Sequence, residues 1–359
     1  MNSYLSQYKM LLIWGLVFIL TPLSIDDAVA HVKWFVDVDV EDALQPLGSH
    51  PARQYMPILF ILASCGTILF GIFDYFFSRL LPEQWTPENY FFEKNTNTPL
   101  TIARIGTGVY CLVLWLMGDS ILTPELTYQK ADWVAYLQLF IAFSVLFKLS
   151  LSFSGFGLIT LYFYAIYKYG IFHCLDYFFV FGLGIYLIIS GLDIRQKIIA
   201  DKHYALLYFS LVFAFLWSAI EKLAYPDAFY QFLAKYPLLM MGLDRDFFII
   251  SAAFVEFSLF FLLLFSHKGI ILLALLVNLL ISAGGLYFGK MDAIGHWPVN
   301  FILAMMFLKG PLPVNKFFFN QCLPKNFINL KNLITLYCTM ALLVVFYYGL
   351  HDVMYGGVI

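Results

Sequence analysis

Glu256 in FVEFSLFFLLL lies about nine residues into an apolar run, about 13 Å down a helix that rises about 1.5 Å per residue. A carboxylate at that depth has to be protonated or paired, because its isolated charge is costly in hydrocarbon. Asn278 reaches a similar depth on the next apolar run, so a Glu256–Asn278 hydrogen bond is the structural expectation, and a proton relay or a contact to a quinone headgroup the chemical one. Glu221 and Lys222 end the preceding run, just before Pro226 and Asp227, where they either mark the water boundary or face a cavity. His296 follows Asp292 by four positions and Asp176 follows His173 by three, spacings that put each pair on one helical face. Such nitrogen and oxygen donors suit a divalent metal or proton exchange near neutral pH; the plainer alternative is that Asp292 and Asp176 cap the helices after them. His31 would become the mature N-terminus if a leader ended at Ala30, and its imidazole and free amine could then grip a copper ion, with His50 or a nearby carboxylate completing the site.

These residues sit in a chain of 359 residues that is 62% hydrophobic and only 12% charged, about half the charged share of an ordinary soluble domain. The class this implies is all-α, a polytopic transmembrane helical bundle. Net charge is −2 and no basic block is present, so nucleic acid is excluded as a partner and the lipid bilayer takes its place. The five cysteines are odd in number, lack C-x-x-C spacing and read as small packing residues.

Residues 1–30 read as a signal peptide or signal anchor: Lys9 precedes an apolar core of signal length, and Ala28-Val29-Ala30 supplies a cleavage pattern. Residues 31–54 are then an exported segment. Spans are expected at about 55–80, 99–119, 134–149, 153–170, 175–192, 205–223, 247–265, 269–288, 298–310 and 332–350, or about ten in the mature chain. Lys and Arg favour one side of this arrangement and Asp and Glu collect on the other, which places an acidic face outside a bacterial-type inner (plasma) membrane, in the periplasm or beyond.

A repeat organises the spans. GKMDAIGHWPVNFILAMMFLKG from Gly289 is echoed by GIFHCLDYFFVFGLGIYLIISG from Gly170; LWSAIEKLAYPDAF from Leu216 by LWLMGDSILTPEL from Leu114; and FSHKGIILL from Phe265 by FSGFGLITL from Phe153. Two parallel four-helix repeats follow, 99–192 and 205–310, with an extra helix and loop at 55–98 and a loop and last helix at 311–359. The parallel arrangement requires the Asp176 and His296 lips to share one side of the membrane.

SAIEKLAYPDAF, FVEFSLFFLLL with Glu256, and GHWPVNFILAMMFLKG resemble the DoxX-like family of small four-helix membrane proteins over about residues 205–310, with the first repeat a degenerate relative. The resemblance implies a four-helix unit and, for some members, association with quinone-linked thiosulfate or thiol oxidation. The first expectation is therefore a membrane component that supports a redox process at the exported face beside a redox enzyme subunit. Glu256, Glu221, Asp292 and His296 are its candidate catalytic residues, and Glu256, Asn278 and Trp297 its candidate contacts to a cofactor such as quinone. A small-molecule or metal-ion (copper) transporter or binding protein using His31, His50, His173, Asp176, Asp292 and His296 is the second. A scaffold without chemistry of its own is the third.

Overall fold

In the computed structural model, residues 44–46, 51–80, 98–118, 133–192, 197–265, 268–283, 294–310, 312 and 330–356 are described. Residues 1–43 with His31, 47–50 with His50, and 284–293 with Asp292 lie outside the described residues.

The long elements are helices, as the apolar runs require: a backbone surrounded by lipid satisfies its amides and carbonyls within itself only in a helix or a closed barrel. They are α1 (Met56–Leu80), α2 (Thr98–Met117), α3 (Trp133–Ser144), α4 (Leu151–Tyr169), α5 (Phe178–Gly191) and α6 (Lys197–Ala224). A short α7 (Pro226–Lys235) precedes α8 (Arg245–Leu263), α9 (Lys268–Ala283), α10 (Trp297–Lys309) and α11 (Leu330–Tyr355). Among the described residues seven segments are long and apolar enough to cross a membrane: Arg53–Phe77, Thr98–Met117, Lys148–Tyr169, Ile171–Gly191, Lys202–Ala224, Arg245–Leu263 and Asn332–Tyr355. The other expected spans are the shorter apolar helices α3, α9 and α10, of 12, 16 and 13 residues. The chain thus has the helical architecture of a multi-pass membrane protein.

Eight helices close into a ring. In chain order α2 packs on α3, α3 on α4, α4 on α5, α5 on α6, α6 on α8, α8 on α9, α9 on α10, and α10 returns to α2. Outside it, α1 leans on α8 and α9, and α11 on α6 and α8. These two are mostly bare: the apolar windows of α1 and α11 are 11% and 17% buried, against 72% for α6. Small residues set the closest approaches. At Gly106 of α2 a Cβ would stand 2.5 Å from the Phe301 ring of α10, and Trp297 Nε1 donates to the Gly106 carbonyl at 3.1 Å. The ring closes over that pair.

Polar side chains pin one end of the bundle. Asp74 of α1, 2% exposed, accepts from the Ile270 amide at 3.1 Å, which gives an embedded carboxylate a partner in the first turn of α9. Arg104 donates to the carbonyls of Val145 and Leu146 just past α3, so the long cation serves the end of a neighbouring helix rather than the lipid interface. Tyr204 donates to the Gly310 carbonyl at 2.9 Å, beneath the Lys309 ammonium 4.3 Å from its ring. His203 is buried, with Nε2 3.3 Å from Ser190 Oγ and its ring on Tyr186.

Gly170, which closes α4, has φ 82° and ψ 155°, a region open essentially to glycine alone. A Cβ there would also come within 3.3 Å of the Tyr355 hydroxyl at the end of α11. Gly170→Ala is expected to cost about 1–2 kcal/mol, read as a lowered Tm of the purified protein; an unchanged Tm would show that the turn relaxes.

Candidate functional site

The opposite end gathers the candidate residues. Phe172 to Tyr177 form two short helical turns between α4 and α5, and Gly295 and His296 lead into α10. Asp176 does not cap α5, whose N-cap is Tyr177, and His296 takes the N-cap position of α10 without a side-chain cap bond; the other expected cap, Asp292, lies outside the described residues. Asp176 and His296 meet across the ring instead. Asp176, Tyr177 and Phe179 from one lip, Gly295, His296 and Val299 from the other, and Ala214, Phe215 and Ser218 of α6 line one cavity of about 50 Å³. The two lips therefore lie on the same side. Asp176 is 6% exposed, whereas His296 is half-buried. The space suits about one or two waters, between a carboxylate and an imidazole.

Ser218 carries the polar wall toward the end of α6. Lys222, one turn along α6, donates to Ser218 Oγ at 3.1 Å and to its carbonyl at 3.4 Å, and its ammonium lies 2.7 Å from Glu256 Oε2. The expected Glu256–Asn278 bond is not formed, and the reason is register. Tyr208 of α6 donates to the Leu263 carbonyl and Phe215 stacks on Phe260 at 3.7 Å, so α6 two turns further on presents Lys222 to Glu256. Asn278 instead donates to Asn300 Oδ1 at 2.8 Å, Asn300 to Ser282 Oγ at 2.7 Å, and Ser282 to the Asn278 carbonyl at 2.7 Å. That network clasps α9 to α10. Trp297, the remaining cofactor-contact candidate, is spent on the Gly106 carbonyl.

Glu221 points elsewhere than Lys222, as neighbours about 100° apart on a helix must. It is 5% exposed and shares a face of α6 with Trp217, which packs on Tyr347 of α11 at 4.5 Å. His173, 9% exposed, stacks beside Tyr169. The carboxylates of Glu221 and Glu256 thus face different partners rather than one cavity.

α7 lies across this end. Pro226 starts it, Asp227 occupies its first turn, and its aromatic residues face cations: the Lys222 ammonium sits 5.6 Å from the Phe229 ring and the Arg245 guanidinium 3.7 Å from that of Tyr230. Burial and the adjacent Asp246 carboxylate push the Tyr230 phenol above its ordinary range. α7 thus sets cation-bearing rings beside the Lys222–Glu256 pair.

Among the described residues no group of three His, Cys, Asp or Glu side chains is placed to hold a metal ion. His31, His50 and Asp292 lie outside the described residues, and His173, Asp176 and His296 do not supply the set. Cys65 and Cys338 are exposed and Cys111 and Cys174 buried, with no disulfide among the described residues. Sequence reasoning missed Lys222 as the partner of Glu256, Ser218 as a lining group, and the whole contribution of α11. Opposite charges in successive apolar runs, and a histidine within the last one, were the available signals. No family model, no curated protein and no solved structure matches the chain.

Proposed function

We propose that this chain is a DoxX-like component of a thiol-linked redox process at the exported face of a bacterial-type inner membrane. Two parallel four-helix repeats build it, α2–α5 and α6 with α8–α10, and the cavity between their lips is its proton-exchanging site. The observation that carries the reading is the convergence of Asp176 and His296, from corresponding windows of the two repeats, on one cavity. The ring adds support, because the contact of α5 with α6 has its counterpart in the contact of α10 with α2. Thiol oxidation releases protons together with electrons, and a carboxylate and an imidazole beside a water-sized space are suitable acceptors. Electrons would pass through a partner enzyme subunit.

Quinone itself does not fit this cavity. A six-membered aromatic ring occupies a cavity of about 150 Å³, against about 50 Å³ here, so no step is assigned to a quinone within it. Membranes carrying the chain are expected to oxidise an added dithiol faster than membranes lacking it. Asp176→Asn and His296→Ala should each slow this by about tenfold or more at equal protein level. Equal rates with and without the chain would overturn the redox reading, and equal rates across the variants would remove the cavity from it.

A further inference from the structure

α11 is docked by an unusual set of side chains. Most of it faces away from the bundle, with Leu342 70%, Val345 71% and Val353 84% exposed. Its buried stripe begins apolar, with Leu336 and Met340, and then becomes Tyr347 and His351, both 0% exposed. A helix that needed only to dock would continue with leucine, since an embedded imidazole or phenol gains nothing from lipid and has to be satisfied within the protein.

The surface that receives this stripe is titratable. The Phe172 ring meets Tyr347 at 4.7 Å, His351 at 5.4 Å and Tyr355 at 6.0 Å. Trp217 of α6 meets Tyr347, and Tyr225, which follows α6, meets His351 at 6.3 Å. Glu221 lies one helical turn from each of those two α6 contacts, and Asp176 lies one turn beyond Phe172. The Tyr347 hydroxyl is within electrostatic reach of Glu221, Tyr225 and Asp176 together. Other groups facing the cluster are His173 on Tyr169, Cys174, and Tyr162 of α4, whose hydroxyl donates to the Cys174 carbonyl at 3.0 Å and which feels the Asp176 charge. On α11 itself, Asp352 and Tyr355 sit at the end of the helix, and Tyr348 turns to the Gln45 carbonyl. Lys222, the neighbour of Glu221 in the chain, is turned to Glu256.

Two carboxylates and one imidazole enclosed together are a set of groups over which one proton can be distributed. We propose that Asp176, Glu221 and His351, gathered around the Tyr347 hydroxyl, form a shared proton-binding site that α11 completes. Asp176 also lines the cavity, which makes the cavity the aqueous mouth of this site. The site stands on the packing of α11 and does not require the redox reading.

Infrared difference spectra of the full-length protein in lipid nanodiscs, between about pH 5 and about pH 8, test it without any activity. A protonated-carboxyl band is expected in the wild type, with one component lost in Glu221→Gln and another in Asp176→Asn. His351→Phe, which keeps the ring packing, should move the midpoint of what remains by about one pH unit or more. Tyr347→Phe removes only a hydroxyl and should also shift the band, which preserves the test if His351→Phe fails to fold. A carboxyl region without a pH-dependent band, or a band indifferent to His351 and Tyr347, overturns the proposal. Because no dithiol is present, the outcome is independent of the membrane oxidation experiment.

Discussion

Lys222→Met is expected to destabilise the folded protein by about 3–5 kcal/mol, seen as a large fall in Tm in detergent. The cost arises at Glu256. α8 begins at Arg245, so Glu256 lies about 16 Å below its first residue at about 1.5 Å per residue, too deep for a short side chain to reach water. Removing the ammonium 2.7 Å away leaves a carboxylate with its closest charge partner gone. Glu256→Gln should be milder, because Lys222 lies near the end of α6 and can extend its long side chain to the interface. The double variant Lys222→Met, Glu256→Leu should recover most of the loss, since a well-packed apolar pair often matches a buried ion pair. Equal Tm for wild type and Lys222→Met would mean that the ion pair does not persist in the membrane.

The second large effect is expected at a glycine. Gly155→Leu should lower stability by about 3 kcal/mol and reduce the yield of monodisperse protein in size-exclusion chromatography. A Cβ at Gly155 would run into the carbonyl oxygen of Gly184 and come within 2.8 Å of the Ile188 amide nitrogen. These are backbone atoms of α5, which no rotamer change can move. Gly184 repeats the constraint from the other side, with a Cβ 2.6 Å from Ile159 and 3.0 Å from the Gly155 carbonyl. Gly71 of α1 is the comparison: nothing lies within 4 Å of a Cβ there, so Gly71→Leu should leave the chromatogram unchanged. A normal profile for Gly155→Leu would show that α4 and α5 are less tightly apposed.

The helices were legible because apolar runs of membrane length leave the backbone one local solution. The expected 205–223 run became Lys197–Ala224 and the 298–310 run became Trp297–Lys309, differences confined to polar ends that hydropathy does not score. The Asp176 and His296 lips were legible as an echo in sequence. Partner choice was not. Glu256 chose Lys222 over Asn278 because the α6–α8 register is set by contacts such as Phe215 with Phe260, which a single run of sequence does not encode. The role of α11 was hidden for a similar reason: its burial falls on one narrow stripe of a helix whose average is lipid-like.

The contact that closes the ring also fixes when the site can exist. Trp297 and the Gly106 carbonyl are separated by 191 positions of chain, and a ribosome adding about 5–20 residues per second needs about 10–40 s to travel between them. During that interval the Gly106 face of α2 has no α10 to meet. His296 enters with the last helix of the ring, so the cavity it shares with Asp176 is among the last features of the molecule to be made, and a nascent chain stalled before α10 would carry the Asp176 lip with nothing opposite it.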